Sequence, residues 1–248
     1  MVIKSNVELE KMKIACRKCK CILEELKEII KPGITTYEIE KESERLMEKN
    51  GVISAFKNYK GYPANICISV NEEVVHGIPR KDKILKEGDI VSLDVGVIYE
   101  GFYGDCADTV GVGKIDKKYE ILINTAREAF KIAFEKALPG MKTGDIGFII
   151  EKYVEKNGFS VVKQFAGHGI GRNLHEPPEV PNFGIPGEGE VLKENMVIAI
   201  EPMINEGISD VEICEDGWTV ITRDRKYSAH YENCILVKKN GNEILTEC

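Results

Sequence analysis

The sequence has no long apolar run. Nothing in its 248 residues approaches the roughly 18 consecutive apolar residues that a membrane-spanning helix needs. Met1–Asn6 lacks the apolar core of a signal peptide, so a cytoplasmic protein with no membrane partner is expected. An excess of basic charge is missing as well. The formal net charge is -7, which speaks against a nucleic-acid-binding surface. Histidine is scarce, with four residues, and tryptophan occurs once. Cysteine is not scarce. Its eight residues, in a chain without a secretion signal, are expected as reduced thiols. Cys16-x-x-Cys19-x-Cys21 has the spacing of half a zinc site, yet no second Cys/His cluster completes it. Small residues on a helix face are the expected reading.

Hydrophobic residues make up 43% and charged residues 30%, the balance of a globular protein. Apolar positions at helical spacing run through 7–31 and stop at Pro32-Gly33. Thr36 is expected to cap a second helix from Tyr37 to about Lys49, closed by Asn50-Gly51. A third helix is expected over 119–137, ending at Pro139-Gly140.

That second Pro-Gly exposes an internal repeat. Pro32-Gly33, Glu48-Lys49-Asn50-Gly51 and Leu85-Lys86-Glu87 recur as Pro139-Gly140, Glu155-Lys156-Asn157-Gly158 and Leu192-Lys193-Glu194, each at the same spacing (32 to 139), without a gap. Two copies of one unit, matched over 32–94 and 139–201, imply a single domain over 1–248 with a pseudo-twofold axis. At that spacing Asp94 falls on Glu201.

Asp94 lies in a run where Val91, Leu93, Val95 and Val97 alternate, and Glu100-Gly101 supplies a turn. The hairpin brings Asp94 and Asp105 to opposite or near-opposite positions. Like charges there destabilise a sheet unless a cation lies between them. Glu201 ends the apolar strand Met196–Ile200, and Glu232 begins the apolar strand before Val237. Either acid alone would be read as a strand-edge charge reaching water. Both, beside two unexplained aspartates, call for a cation.

His168 sits between glycines in Gly167-His168-Gly169-Ile170-Gly171, which is not a G-x-G-x-x-G phosphate loop. His175 precedes Glu176-Pro177-Pro178, which excludes a zincin helix. His76 precedes Gly77. Asp94, Asp105, His168, Glu201 and Glu232 make four carboxylates and one imidazole. That is too much negative charge for one divalent ion, and it fits two. Oxygen-rich ligation suits Mn, Fe(II) or Co. Paired ions activate water and polarise a carbonyl or phosphoryl oxygen, so the residues point to a two-metal hydrolase, with a metal phosphoesterase still open.

Gly61-Tyr62-Pro63, Val75-His76-Gly77-Ile78-Pro79, Asp94-Val95 with Gly104-Asp105, Gly167–Gly171, Ile200-Glu201-Pro202-Met203, Asp216-Gly217-Trp218-Thr219 and Ser228-Ala229-His230-Tyr231-Glu232 together resemble the type I methionine aminopeptidases of the short bacterial kind. The resemblance covers essentially the whole chain. It implies an α+β pita-bread (creatinase/aminopeptidase) fold, with two related halves around a central antiparallel sheet and helices outside. It implies removal of the N-terminal methionine from nascent chains with a small second residue, by activated water attacking the first peptide carbonyl. In that pattern Asp94, Asp105, His168, Glu201 and Glu232 ligate two divalent ions, with Asp105 and Glu232 bridging. Glu201 also moves the proton of the attacking water, His175 stabilises the tetrahedral intermediate, and His76 contacts the scissile amide or leaving group. Phe56, Tyr59, Tyr62, Cys67, Leu174 and Trp218 line the methionine pocket. The implied partners are nascent polypeptide N-termini, with the ribosome as the place of encounter, and a monomer is expected. Two departures stand out: position 174 is often Phe and here is Leu, and position 230 is often Gln and here is His. The rival readings are an Xaa-Pro aminopeptidase or prolidase of the same fold, and a non-catalytic relative that binds peptides.

Overall fold

A computed structural model describes residues 2–248. Helix α1 (Asn6–Glu28) starts at Ser5, whose side chain accepts from the Glu8 N–H, and it buries Met12, Ala15, Cys16, Cys19, Ile22, Leu23 and Leu26. Helix α2 (Thr36–Asn50) is capped one residue earlier than expected, by Thr35 rather than Thr36. Thr35 Oγ1 accepts from the Glu38 N–H at 3.1 Å, and the Glu38 carboxylate accepts from the Thr35 N–H at 2.8 Å. This reciprocal pair satisfies two otherwise orphaned donors. Thr36 instead lies inside the helix, and its hydroxyl donates to the Arg80 carbonyl at 3.1 Å. Helices α3 (Lys117–Lys136) and α4 (Thr143–Lys156) follow later in the chain. Among the described residues no helix is long and apolar enough to cross a membrane.

The repeat is visible in the hydrogen bonds. Gly33 N–H donates to the Leu85 carbonyl at 2.8 Å, and Gly140 N–H donates to that of Leu192 at 2.9 Å. Thr36 N–H donates to Lys83 at 2.9 Å, and Thr143 N–H to Glu190 at 2.9 Å. In each half the Pro-Gly turn is therefore tied to the segment that leads into a sheet strand.

The main sheet has nine strands and is antiparallel throughout. Its path runs Ile53–Ser54, Ile90–Tyr99, Phe102–Gly111, Glu232–Leu236, Val197–Ile200, Ala166–Gly169 and Glu176–Pro181. Cys67–Val70 pairs with Ile90–Tyr99, and Glu243–Ile244 pairs with Glu232–Leu236. The strand late in sequence, Glu232–Leu236, thus lies between the hairpin of the first half and Val197–Ile200 of the second. Two three-stranded sheets flank it. One joins Ser228–His230, Met203–Asn205 and Ser160–Val161; the other joins Val211–Ile213, Val220–Thr222 and Glu73–Val75. Large apolar clusters gather against α1 and α2 on one half and α3 and α4 on the other.

One cysteine expectation is corrected. Cys21 and Cys248 form a disulfide, with Cα atoms 5.4 Å apart. The reason is topological. Glu243–Ile244 pairs back onto Glu232–Leu236, and this return brings the C-terminal residues beside α1, where no spacing in the sequence placed them. The other six cysteines are free thiols, five of them buried.

Candidate functional site

Strand register decides which side chains meet. The hairpin turns on Glu100-Gly101, both at positive φ (47° and 79°), the backbone of a two-residue turn that suits twisted strands. It pairs Asp94 with Ala107 and Asp105 with Gly96. The two aspartates are diagonal neighbours on one face rather than directly opposed. Glu232 also pairs with Ala107, so Asp94, Ala107 and Glu232 form one row across three strands. Asn233 pairs with Ile200, which leaves Glu201 beside Glu232 at the strand end. His168 pairs with Ala199, two residues before Glu201 and so on the same face. Five strands thereby deliver four carboxylates and one imidazole to one spot.

The strand that carries His168 fits only because its flanks are small. A Cβ on Gly169 would stand 2.2 Å from the Pro177 carbonyl oxygen. On the hairpin, a Cβ on Gly96 would meet the Phe56 ring at 2.3 Å. The bare Gly96, the strand partner of Asp105, leaves room for the Phe56 ring.

The electrostatics have no internal resolution. Asp105 and Glu232 are 4% and 2% exposed, which rules out acids reaching water at a strand edge. Asp94 Oδ1, Asp105 Oδ1 and Glu232 Oε1 are buried without a hydrogen-bond partner. Among the described residues, no lysine or arginine pairs with any of the four acids. Burial pushes Asp94 up to about 7. Burial, and then the neighbouring carboxylates, push Asp105, Glu201 and Glu232 well above the ordinary range.

The histidines cannot supply the missing charge. Burial, then His175, lowers His168 to about 3, and burial lowers His230 to about 3. His168 Nδ1 lies 3.0 Å from the Gly169 carbonyl, an acceptor only, so Nδ1 carries the proton and Nε2 presents a lone pair. That lone pair sits 3.6 Å from Glu201 and 3.8 Å from Asp105, too far for hydrogen bonds and set as donors around a shared ion. Asp105, His168 and Glu232 each offer a ligand atom within 4.8 Å of the others. These orphaned oxygens and this free imidazole fit divalent cations.

The acids floor a cavity of about 310 Å³. All thirteen residues singled out in the sequence line it. His175 stands at the mouth, with its ring 4.3 Å from that of His168 and its Nδ1 2.8 Å from the Tyr59 hydroxyl. His76 holds φ at 60°, unusual for a residue with a side chain, and its ring meets Phe165 at 5.5 Å and Trp218 at 6.4 Å. Burial lowers His76 to about 4, leaving it neutral. Tyr62 packs edge-on against Trp218 at 5.2 Å, and its hydroxyl donates to the Gly77 carbonyl at 2.9 Å. Val75, Phe165 and Met203 also line the wall and were not anticipated. Their signal was adjacency: each lies within three residues of His76, His168 or Glu201.

The chain has extensive likeness to known proteins. The pattern of metallopeptidase family M24 matches residues 10–239. The methionine aminopeptidase of Clostridium perfringens is 49% identical over 246 residues, spanning 99% of this chain and 98% of that one. Methionine aminopeptidase 1 of Bacillus subtilis is 44% identical over 246 residues, spanning 99% of each. The crystal structure of a methionine aminopeptidase from Thermotoga maritima superimposes with a TM-score of 0.97 at 46% identity, covering 100% of both chains. A prolidase from Pyrococcus furiosus superimposes at 0.81 with 27% identity, and this chain covers 66% of it.

Proposed function

Because this chain belongs to metallopeptidase family M24, and within it to the methionine aminopeptidases that share its pita-bread fold, we propose how its residues divide the work of removing an N-terminal methionine. The observation that carries the reading is a cluster of four carboxylates, three with an orphaned buried oxygen, beside a lone-pair imidazole under an aromatic wall.

Asp94, Asp105, His168, Glu201 and Glu232 are the residues that would hold two divalent ions. Mn, Fe(II) and Co are the ions this donor set suits. Such ions supply Lewis acidity toward a carbonyl and lower the pKa of water. Glu201 takes the proton of the attacking water and passes it toward the leaving amine. His175, anchored by Tyr59, donates to the oxygen that gains charge as the peptide carbonyl becomes tetrahedral. His76, held among Phe165 and Trp218, contacts the scissile amide. Phe56, Tyr59, Tyr62, Cys67, Leu174 and Trp218 enclose the methionine side chain and exclude water around it, an apolar setting that suits a thioether. The substrates are nascent polypeptide ends with a small second residue, met in the cytoplasm by a monomer.

The test is release of methionine from Met-Ala-Ser against cleavage of Ala-Pro, measured anaerobically across a series of added Mn(II), Fe(II) and Co(II). Methionine release that depends on added metal is expected. A preference for Ala-Pro would move the chain to the proline-specific branch of the fold.

A further inference from the structure

His230 lines the cavity beside the acids, and neither the five-ligand centre nor the proposed catalytic roles use it. It comes from a different layer: its strand, Ser228–His230, pairs with Met203–Asn205 in a side sheet, with Met203 opposite His230. Its backbone is clamped on both sides. The His230 N–H donates to Thr109 Oγ1 at 2.9 Å, and that hydroxyl donates to the His230 carbonyl at 2.8 Å. Ser92 Oγ donates to Thr109 Oγ1 at 2.7 Å, which fixes the clamp in turn. An imidazole held this way has little freedom to withdraw.

The side chain lines the cavity and is 2% exposed, and its Nε2 has no hydrogen-bond partner. That atom lies 3.7 Å from Glu201 Oε2 and 3.8 Å from Glu232 Oε2. Both distances exceed a hydrogen bond. They approach the spacing of donors that share an ion: two ligand atoms each about 2.1 Å from a tetrahedral centre stand about 3.4 Å apart. Glu201, His230 and Glu232 present one ligand atom each within 4.8 Å of one another, as do Asp105, His168 and Glu232. Two three-donor groups therefore meet at Glu232, and each contains one imidazole.

We infer that His230 Nε2 is a further metal ligand, so that the centre takes two imidazoles, one from each group. This rests on the reading above that the acids hold divalent ions. A second nitrogen donor shifts the preference of the centre. Nitrogen ligation favours Co(II) and Fe(II) over Mn(II), following the order in which imidazole affinity rises along the first-row ions.

The experiment uses the full chain, stripped of metal and reloaded with Co(II). In proton NMR each histidine bound through Nε2 carries an exchangeable Nδ1–H whose signal is shifted far outside the ordinary range by the paramagnetic ion. Two such signals are expected in the unmodified protein, which requires no variant to fold. One should vanish in His230→Gln, with Co(II) affinity lowered about tenfold or more and Mn(II) affinity lowered less. One signal in the unmodified protein, retained in His230→Gln and lost in His168→Gln, would overturn the inference and leave the five-ligand centre standing. No shifted signal and no stoichiometric Co(II) would overturn both.

Discussion

The proposed function gives Glu201 two tasks at once, and its surroundings suit both. Its carboxylate sits at the end of Val197–Ile200, with its backbone carbonyl accepting from the Asn182 side chain at 3.0 Å. Burial, then Asp94, raises its proton affinity, which suits a group that must accept a proton from water. Glu201→Gln keeps the shape and removes the basicity. Turnover is expected to fall by about 10²–10⁴, while affinity for an uncleaved peptide analogue changes little. Metal content measured alongside separates lost ligation from lost proton transfer, and unchanged turnover in the loaded variant would remove Glu201 from that role. At this scale the sequence was informative because acids in apolar strands are costly without a partner. His230 was harder to place. Its neighbour Glu232 was legible in an apolar run, but the role of His230 depends on a side sheet that aims it at the cavity, and pairing between distant strands leaves no local periodicity.

At the level of elements, the two halves can be compared position by position. Thr35 closes a reciprocal cap on α2; its counterpart Lys142 has no hydroxyl, and only the Asp145 carboxylate accepts back, from the Lys142 N–H at 2.8 Å. Thr35→Ala should cost about 1 kcal/mol in denaturant unfolding with kcat/KM unchanged, because α2 lies outside the cavity. A loss of activity without loss of stability would contradict this. The repeat was legible because it has no gap from Pro32 to Asp94. Beyond that point it misdirects. Its spacing carries Asp105 to Glu212, which is half-exposed on Val211–Ile213 and paired with Arg225 at 2.8 Å. The true counterpart of the second hairpin strand is Glu232–Leu236. It pairs with Val197–Ile200 only after the excursion through the side sheets between 203 and 230. An insertion explains the mismatch, and a fixed offset could not cross it.

For the molecule as a whole, the buried acids couple metal, proton and stability. Asp94 is pushed up to about 7, and Asp105, Glu201 and Glu232 are raised as well. A carboxyl group with a raised folded pKa holds its proton more tightly folded than unfolded, so its contribution is present at low pH and is lost as pH rises through the folded value. Below about pH 6.5 the histidines oppose this, because His76, His168 and His230 have lowered values and charge more readily when unfolded. Above that pH the carboxylates act alone. The Tm of the metal-free protein should therefore fall between pH 6.5 and 8. Added Mn(II) should raise it more at pH 8, where fewer protons must be displaced. Calorimetry with and without chelator checks both, and a metal-free Tm that climbs over this range would contradict them. The Cys21–Cys248 link acts at the same scale, tying residues 227 positions apart. Cys248→Ser should cost about 2–5 kcal/mol under oxidising conditions and nothing under reducing ones, with methionine release retained; equal stability in both conditions would show that the link does not restrain the unfolded chain.

The central position of Glu232–Leu236 has a further consequence, which concerns time. A ribosome delivers the hairpin with Asp94 and Asp105 first, then His168 and Glu201, and only afterwards the strand that must slide between them. Until then the sheet is two separate pieces with open edges, and Glu232 is not yet beside the other acids. A strand made near the end of the chain is thus the one that joins the two halves, and the cavity with its cluster of acids exists only once that strand is in place.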